Sequence, residues 1–227
     1  MSMEKTIDIV IPAYKPGKEF QELLRRLLKQ SVLPGHIFIL QTLEDGDAPM
    51  KSQDERIIVY PVAKKEFDHG KTRAYGAGLS KADYVLFMTQ DAMPADDELL
   101  SSLLKGFEQE KTGIVYGRQL ARKDADITEQ LTRLHNYPAQ SCLKTKSNLN
   151  TLGIKTYFCS DVCAMYDRSL YQKLGGFSYP TIFNEDMIMA SKVIQNGYAV
   201  YYAAEAKVIH SHSYTCMQQF RRNFDLG

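Results

Sequence analysis

The 227 residues set 28 Lys and Arg against 27 Asp and Glu, for a net charge of +1, and 44% of them are hydrophobic. This is the composition of an ordinary soluble globular protein, and it gives no electrostatic case for a nucleic-acid partner. No stretch approaches the roughly 18 apolar residues of a membrane span, and residues 1–8 are mostly polar, without the apolar centre of a signal peptide. The cysteines (Cys142, Cys159, Cys163 and Cys216) contain no C-x-x-C pair, which fits reduced thiols and a cytoplasmic location.

In chain order, a β-branched run at residues 7–11, stopped by Pro12, predicts the first strand. Pro12-Ala13-Tyr14-Lys15-Pro16-Gly17 is the loop that follows. Phe20, Leu23, Leu24, Leu27 and Leu28 then recur at helical spacing, giving an amphipathic helix to about Gln30. Pro34-Gly35 breaks it; residues 36–40 form the second strand, 41–53 a polar acidic loop and 57–60 the third strand. A helix over 70–80 delivers the chain to Val85-Leu86-Phe87-Met88, whose brevity and polar flanks are those of a buried central strand. Three strand–helix alternations in the first 85 residues predict a parallel, doubly wound α/β sheet.

Beyond it, Pro94, Asp96, Asp97 and Glu98 open an acidic helix start, with Leu99, Leu103, Leu104 and Phe107 as the buried face. Residues 113–117 read as a strand, 127–136 as a helix, and 138–156 as a polar, irregular lid over a site. Residues 157–166 are strand-like, Gly175-Gly176-Phe177 is a turn, and 185–196 form a helix closed by Gly197. Strands at 198–203 and 206–210 complete the sheet. One domain is the simplest division, and Arg221-Arg222 in a continuing helix point to a further C-terminal segment.

Four places carry candidate chemistry. Asp91 follows the central strand, where open α/β sheets bind ligands; it either caps the next helix or holds a divalent cation against a phosphate. Gly70-Lys71-Thr72-Arg73 begins a helix and is not a P-loop, because Lys65 stands where the first glycine is required. Its amides and cations suit a diphosphate or are a solvated turn. Asn184-Glu185-Asp186 opens another helix and either favours its dipole or supplies a general base. His210 and His212 point to one face of an extended segment, as metal ligands or as a surface pair. Cys159 and Cys163 share a strand with apolar neighbours and read as core.

Taken together, these residues resemble the family 2 glycosyltransferases, and more narrowly their rhamnosyltransferase-like members. The resemblance runs through Val10-Ile11-Pro12-Ala13-Tyr14, Phe67-Asp68-His69-Gly70-Lys71-Thr72-Arg73, Phe87-Met88-Thr89-Gln90-Asp91-Ala92, Asn136-Tyr137-Pro138, Phe158-Cys159-Ser160-Asp161-Val162-Cys163, Gly175-Gly176-Phe177, Phe183-Asn184-Glu185-Asp186-Met187 and His210-Ser211-His212-Ser213. The first stretch marks only the broad family; the order of the later ones is more specific.

The resemblance implies a GT-A fold: a Rossmann-like, mostly parallel central sheet flanked by helices. A nucleotide-sugar half (residues 1–93) would be fused to an acceptor half (94–227). It implies inverting transfer, with rhamnose from dTDP-rhamnose as the donor, to a polysaccharide or lipid-linked acceptor, at the cytoplasmic face of the membrane. Pro12, Ala13, Tyr14, Thr42, Gly70, Arg73 and Gln90 would then contact the donor. Asp91, with His210 or His212, would hold Mg²⁺ or Mn²⁺. Asp186 would deprotonate the acceptor, and Glu185 would orient it.

Two departures stand out. Thr89-Gln90-Asp91 replaces the family's Asp-x-Asp, removing one carboxylate, and Leu40-Gln41-Thr42-Leu43 lacks the aspartate that commonly reads the nucleobase, leaving Thr42 as the candidate. A catalytically silent nucleotide-sugar-binding module and a metal-dependent hydrolase built on Asp91, His210 and His212 are the alternative functions.

Overall fold

In a computed structural model of the protein, the residues described are 5–181, 183–211, 217 and 220. The expectations placed on His212, Cys216 and Arg221-Arg222 fall outside them.

The first half alternates as its sequence pattern requires. β1 (Ile7–Tyr14), α1 (Lys18–Leu27), β2 (His36–Leu43), β3 (Ile57–Ala63), α2 (His69–Leu79) and β4 (Tyr84–Met88) follow in order. All of these strands pair in parallel, β1 with both β2 and β4, and β2 with β3. Strand alternation sorts β1 between two layers. Ile7, Ile9 and Ile11 pack with Phe20, Leu23, Leu24 and Leu27 of α1, while Val10 faces Ala77 of α2 on the opposite side.

Each of the first three strands is longer than its apolar run predicts. β1 continues through Pro12 to Tyr14, paired with Thr42 of β2, and Pro12 is tolerated because pairing with β4 has already ended at Val10. β3 likewise contains Pro61, as an edge strand can.

The second half places β5 (Met93–Pro94), α3 (Leu99–Gly106), β6 (Thr112–Leu120), α4 (Ile127–Asn136), β7 (Cys142–Lys144), α5 (Leu149–Leu152), β8 (Cys163–Asp167), α6 (Arg168–Lys173), α7 (Glu185–Gln195) and β9 (Ala199–Ile209). The described strands form one nine-stranded mixed sheet in the order β3-β2-β1-β4-β8-β6-β9-β5, with β7 added on β9. β8 enters antiparallel between β4 and β6. Its start therefore lies beside the ends of β4 and β6, at the edge where β1, β2 and β3 also end.

Three expectations need correction. Residues 138–156 are not featureless: β7 joins the sheet, and Thr145 and Asn148 form a reciprocal cap on a 3₁₀ turn. The strand expected over 157–166 is confined to β8, because Tyr157 ends a 3₁₀ turn and residues 158–162 are irregular, with a turn at Asp161-Val162. The two last strands are one, β9, bulged where Gly117–Ala203 pairing jumps to Arg118–Lys207. A Cβ on Gly117 would lie 2.7 Å from the Ala206 carbonyl oxygen, so the bulge requires glycine there.

Candidate active site

The parallel strands deliver their carboxyl ends to one edge, where ligands bind in this architecture. Tyr14 ends β1, Glu44 follows β2 and Lys64 follows β3. The Tyr14 hydroxyl donates to Glu44 Oε1, Lys64 Nζ lies 2.8 Å from the same oxygen and 3.2 Å from the Tyr14 hydroxyl, and Lys15 Nζ approaches it to 3.2 Å. These partners hold the Glu44 carboxyl down at about 2. Leu43, Glu44, Asp45, Ala63, Lys64 and Lys65 line a cavity of about 370 Å³ beside them. Lys15, Glu44 and Lys64 were not among the expected site residues; their charges become a cluster only when three strand ends converge. Thr42 is buried at 4% exposure and its hydroxyl has no hydrogen-bond partner among the described residues, so it does not open toward this cavity.

After β4, the three residues of Thr89-Gln90-Asp91 separate by role. The Thr89 side-chain oxygen is buried. Gln90 uses both ends of its amide on the Tyr14 backbone, accepting from the N–H at 2.8 Å and donating to the carbonyl at 3.2 Å. It thus ties β1 to the β4 loop, and its amide is engaged there rather than offered to a donor. Asp91 is the member exposed at the edge, with 41% of its side chain accessible.

Beside Asp91 stands His210, which follows β9 and is itself 4% exposed. Its Nε2 is 3.4 Å from Asp91 Oδ2, and its Nδ1 is 2.9 Å from Gln119 Oε1. Arg133 also donates to Gln119 Oε1, at 2.5 Å, which marks that oxygen as an acceptor. His210 Nδ1 is therefore the donor, and Nε2 turns toward Asp91. A carboxylate oxygen and an imidazole nitrogen at this separation match neighbouring ligands on one ion, since ligands about 2.1 Å from a metal at right angles are about 3 Å apart. Among the described residues no third His, Cys, Asp or Glu completes a cluster, so a cation held here would need oxygens from outside this pair.

The opposite wall is built from the start of α7. Asn184 adopts left-handed φ of 69°, a conformation asparagine tolerates, and turns Glu185 and Asp186 inward. Asp186 Oδ1 accepts from Met187 N–H at 2.7 Å and Oδ2 from Asp161 N–H at 3.1 Å. Burial first, and then the neighbouring Glu185 charge, push its carboxyl up to about 6 against the pull of those N–H groups and Arg73.

Arg73 and Gly70 lie elsewhere than expected. Arg73 is 5% exposed; its Nη1 donates to Glu185 Oε1 at 2.8 Å and its Nε faces Asp161 Oδ2 at 3.7 Å. Gly70 packs under residues 178–181, where a Cβ would meet the Ser178 carbonyl oxygen at 2.5 Å. The helix end that was to cradle phosphate is capped by Asp68, which accepts from Lys71 N–H at 2.7 Å and Thr181 N–H at 3.0 Å.

Gln119 links the two walls, since its Nε2 lies 3.0 Å from Ser160 Oγ and 2.6 Å from the Tyr137 hydroxyl. Gln119 and Asp161 were missed as site residues; nothing in a strand's alternation marks one polar residue as a bridge. On the outer side of Gln119, a groove of about 330 Å³ is lined by Arg118, Arg122, Lys123, Arg133, Leu134 and Tyr137, among other residues.

Comparison with known proteins places the chain in a family and a fold. The sequence profile described as "Glycosyl transferase family 2" matches residues 8–175. The chain is 38% identical over 223 residues to "O-antigen chain rhamnosyltransferase RfbN" of Salmonella typhimurium, covering 97% of this chain and 71% of that protein. It is 36% identical over 221 residues to "O-antigen chain rhamnosyltransferase WbaN" of Salmonella anatum, covering 96% and 70%.

Among solved structures, it superposes on mannosyltransferase PcManGT from Pyrobaculum calidifontis, in complex with GDP-Man and Mn²⁺, with a TM-score of 0.68 at 14% identity, over 99% of this chain and 63% of that one. On S. aureus TarS the TM-score is 0.65 at 16% identity, over 89% and 59%. The chain thus spans less than two thirds of these solved chains, and the likeness establishes a GT-A fold. The chain belongs to glycosyltransferase family 2, and within it is a rhamnosyltransferase-like glycosyltransferase.

Proposed function

We propose that the protein transfers L-rhamnose from dTDP-rhamnose, with inversion, to a growing O-antigen-type polysaccharide or its lipid-linked precursor. Both curated relatives are named for rhamnosyl transfer to the O-antigen chain, which favours this sugar and acceptor class. The observation that carries the chemistry is Gln119, which ties His210 and Asp91 on one side to the 160–161 segment holding Asp186 on the other. A leaving-group site and a base held in one connected frame are what a single displacement needs.

On this reading residues 1–93 form the donor half, with Pro12, Ala13 and Tyr14 beside the nucleoside, and residues 94–227 form the acceptor half. Asp186 takes the proton from the acceptor hydroxyl as that oxygen bonds to the anomeric carbon and the bond to the diphosphate breaks. Asp91 and His210 would hold a divalent cation, Mg²⁺ or Mn²⁺, whose charge stabilises the departing diphosphate. Two of the solved neighbours, PcManGT and GalNAc-T7, are complexes that contain Mn²⁺.

No helix among the described residues is long and apolar enough to cross a membrane. The free thiols Cys142, Cys159 and Cys163 support a cytoplasmic site of action, with the enzyme meeting a lipid-linked acceptor at the inner face of the membrane.

A thermal-shift screen of dTDP-rhamnose, UDP-sugars and GDP-sugars, each with Mg²⁺ or Mn²⁺, tests the donor. Stabilisation by dTDP-rhamnose above the others is expected, and a stronger response to a UDP- or GDP-sugar would reject it. Release of dTDP that depends on an added O-antigen acceptor separates an enzyme from a silent binding module.

A further inference from the structure

The proposed chemistry leaves Arg73 without a task, and its surroundings supply one. Arg73 leaves the donor half on α2 and ends inside the acceptor half, 112 residues away in sequence, on Glu185. Its side chain is 6% exposed and that of Glu185 7%, so the pair is shut off from the donor cavity. On its other side the guanidinium Nε faces Asp161 Oδ2 across 3.7 Å as an ion pair, and neither atom has a hydrogen-bond partner among the described residues. Asp161 is clamped through its other oxygen by the Tyr166 hydroxyl at 2.7 Å, and its own backbone N–H holds Asp186.

We propose that Arg73 is a positioning residue for the catalytic carboxylate rather than a donor contact: seated between Glu185 and Asp161, it fixes both the place and the charge state of Asp186. This rests on the reading of Asp186 as the base.

The electrostatics follow from the inventory of groups around it. α2 contributes Arg73 and His69, whose Nδ1 lies 3.3 Å from Arg73 Nη1. The segment before β8 contributes Cys159 and Asp161, β8 contributes Tyr166, α6 contributes Tyr171, α7 contributes Glu185 and Asp186, and Tyr137 follows α4. Three carboxyls thus crowd one guanidinium. In a poorly solvated site they cannot all ionise together. Glu185 takes the short contact to Arg73, while burial first, and then the Asp186 charge, push the carboxyl of the fully enclosed Asp161 well up. Asp186 is pushed up to about 6 by burial first and then by Glu185, against the pull of the Asp161 and Met187 N–H groups and, last, of Arg73. Removing Arg73 and removing Glu185 should therefore move Asp186 in opposite directions, which a packing role alone does not produce, and nucleotide affinity separates this from a donor contact.

The test is a ¹³C-carboxyl NMR titration of Asp-labelled protein, with the Asp186 resonance assigned by its loss in Asp186→Asn. Arg73→Gln should raise the Asp186 midpoint by about half a pH unit or more, and Glu185→Gln should lower it by a larger amount, since Glu185 acts on it more strongly than Arg73 does. Arg73→Lys, which keeps the charge, should stay within about half a unit of the parent. Calorimetry with dTDP, UDP and GDP in Mn²⁺ should find nucleotide affinity in Arg73→Gln within about threefold of the parent.

Should Arg73→Gln fail to fold, Glu185→Gln and Arg73→Lys decide: an unmoved midpoint in Glu185→Gln overturns the proposal. So does a tenfold or greater loss of nucleotide affinity in Arg73→Gln with the midpoint unmoved. If Asp186→Asn retains rhamnosyl transfer, the base assignment falls instead, and the carboxyl titration still reports whether Arg73 governs Asp186.

Discussion

At the scale of single residues, Asp186 sets function against stability. Its carboxyl titrates at about 6 where 3.8 is ordinary, so the fold favours the protonated form. The sign follows directly: ionising Asp186 costs the folded state, a cost fully present above pH 6 and absent below about pH 4. Asp186→Asn should therefore raise stability at pH 8 by about 1–2 kcal/mol, the relieved charge being partly offset by the lost acceptor for one backbone N–H. Denaturant unfolding at pH 8 and pH 4 checks this, with no gain expected at pH 4. Transfer by the same variant should fall by about 10²–10⁴-fold, and transfer by the parent should decline as pH drops through 6. Equal stability at both pH values would show that Asp186 is not raised.

Gln119 governs a second residue-scale outcome. Its Oε1 fixes which nitrogen of His210 carries the proton. Gln119→Leu removes that acceptor, and Mn²⁺-dependent donor binding should weaken by about 10–100-fold, while the His210 ring remains in place. Calorimetry of dTDP with and without Mn²⁺ reads it. Unchanged metal dependence would exclude His210 as a ligand.

Among the elements, α2 matters most because two motifs meet on it. Its start receives Ser178, Thr181, Phe183 and Glu185 through Gly70, Asp68, the His69 ring and Arg73 respectively. Its middle lies so close to β1 that a Cβ on Gly76 would meet Val10 Cγ1 at 2.4 Å, whereas one on Gly78 meets nothing within 4 Å. Gly76→Ala should cost about 1–3 kcal/mol by overpacking. Gly78→Ala, in the same helix, should add about 0.5–1 kcal/mol by removing glycine's freedom in the unfolded chain. Chemical denaturation of the two variants gives opposite signs if α2 docks as described. A common sign would mean that helix propensity, not packing, controls the response.

For the whole molecule, the proposed donor site draws on both halves of the sheet. β1, β2 and β3 supply the Tyr14, Glu44 and Lys64 cluster, while Asp91 follows β4 and His210 follows β9. Asp91 and His210 are too few ligands to hold a hard cation tightly without further oxygens. Mn²⁺ alone should shift thermal unfolding little, whereas Mn²⁺ with donor at 100 times its dissociation constant should add about 2.7 kcal/mol. Asp91→Ala should abolish the metal-dependent part. Tight Mn²⁺ binding that survives this substitution would place the metal elsewhere.

The sequence by itself determined the alternating first half, the burial of β4, the lone carboxylate after it and the acidic start of α7. Each is a local property: an apolar run, a breaker, a helix period or a cap is decided by neighbours within a turn or two. The resemblance through Phe67–Arg73, Phe87–Ala92 and Phe183–Met187 likewise identified the family before any fold was in hand.

Only the tertiary structure decided what these residues touch. A parallel reading could not foresee that β8 enters antiparallel and swings Asp161 to the edge where β4 ends. Nor could it foresee that Gln90 is spent on the Tyr14 backbone, or that Arg73 is buried on Glu185 rather than set against the donor. The physical reason is distance along the chain: these contacts join residues 25 to 112 positions apart, so their partners are set by sheet order and packing, not by local preference.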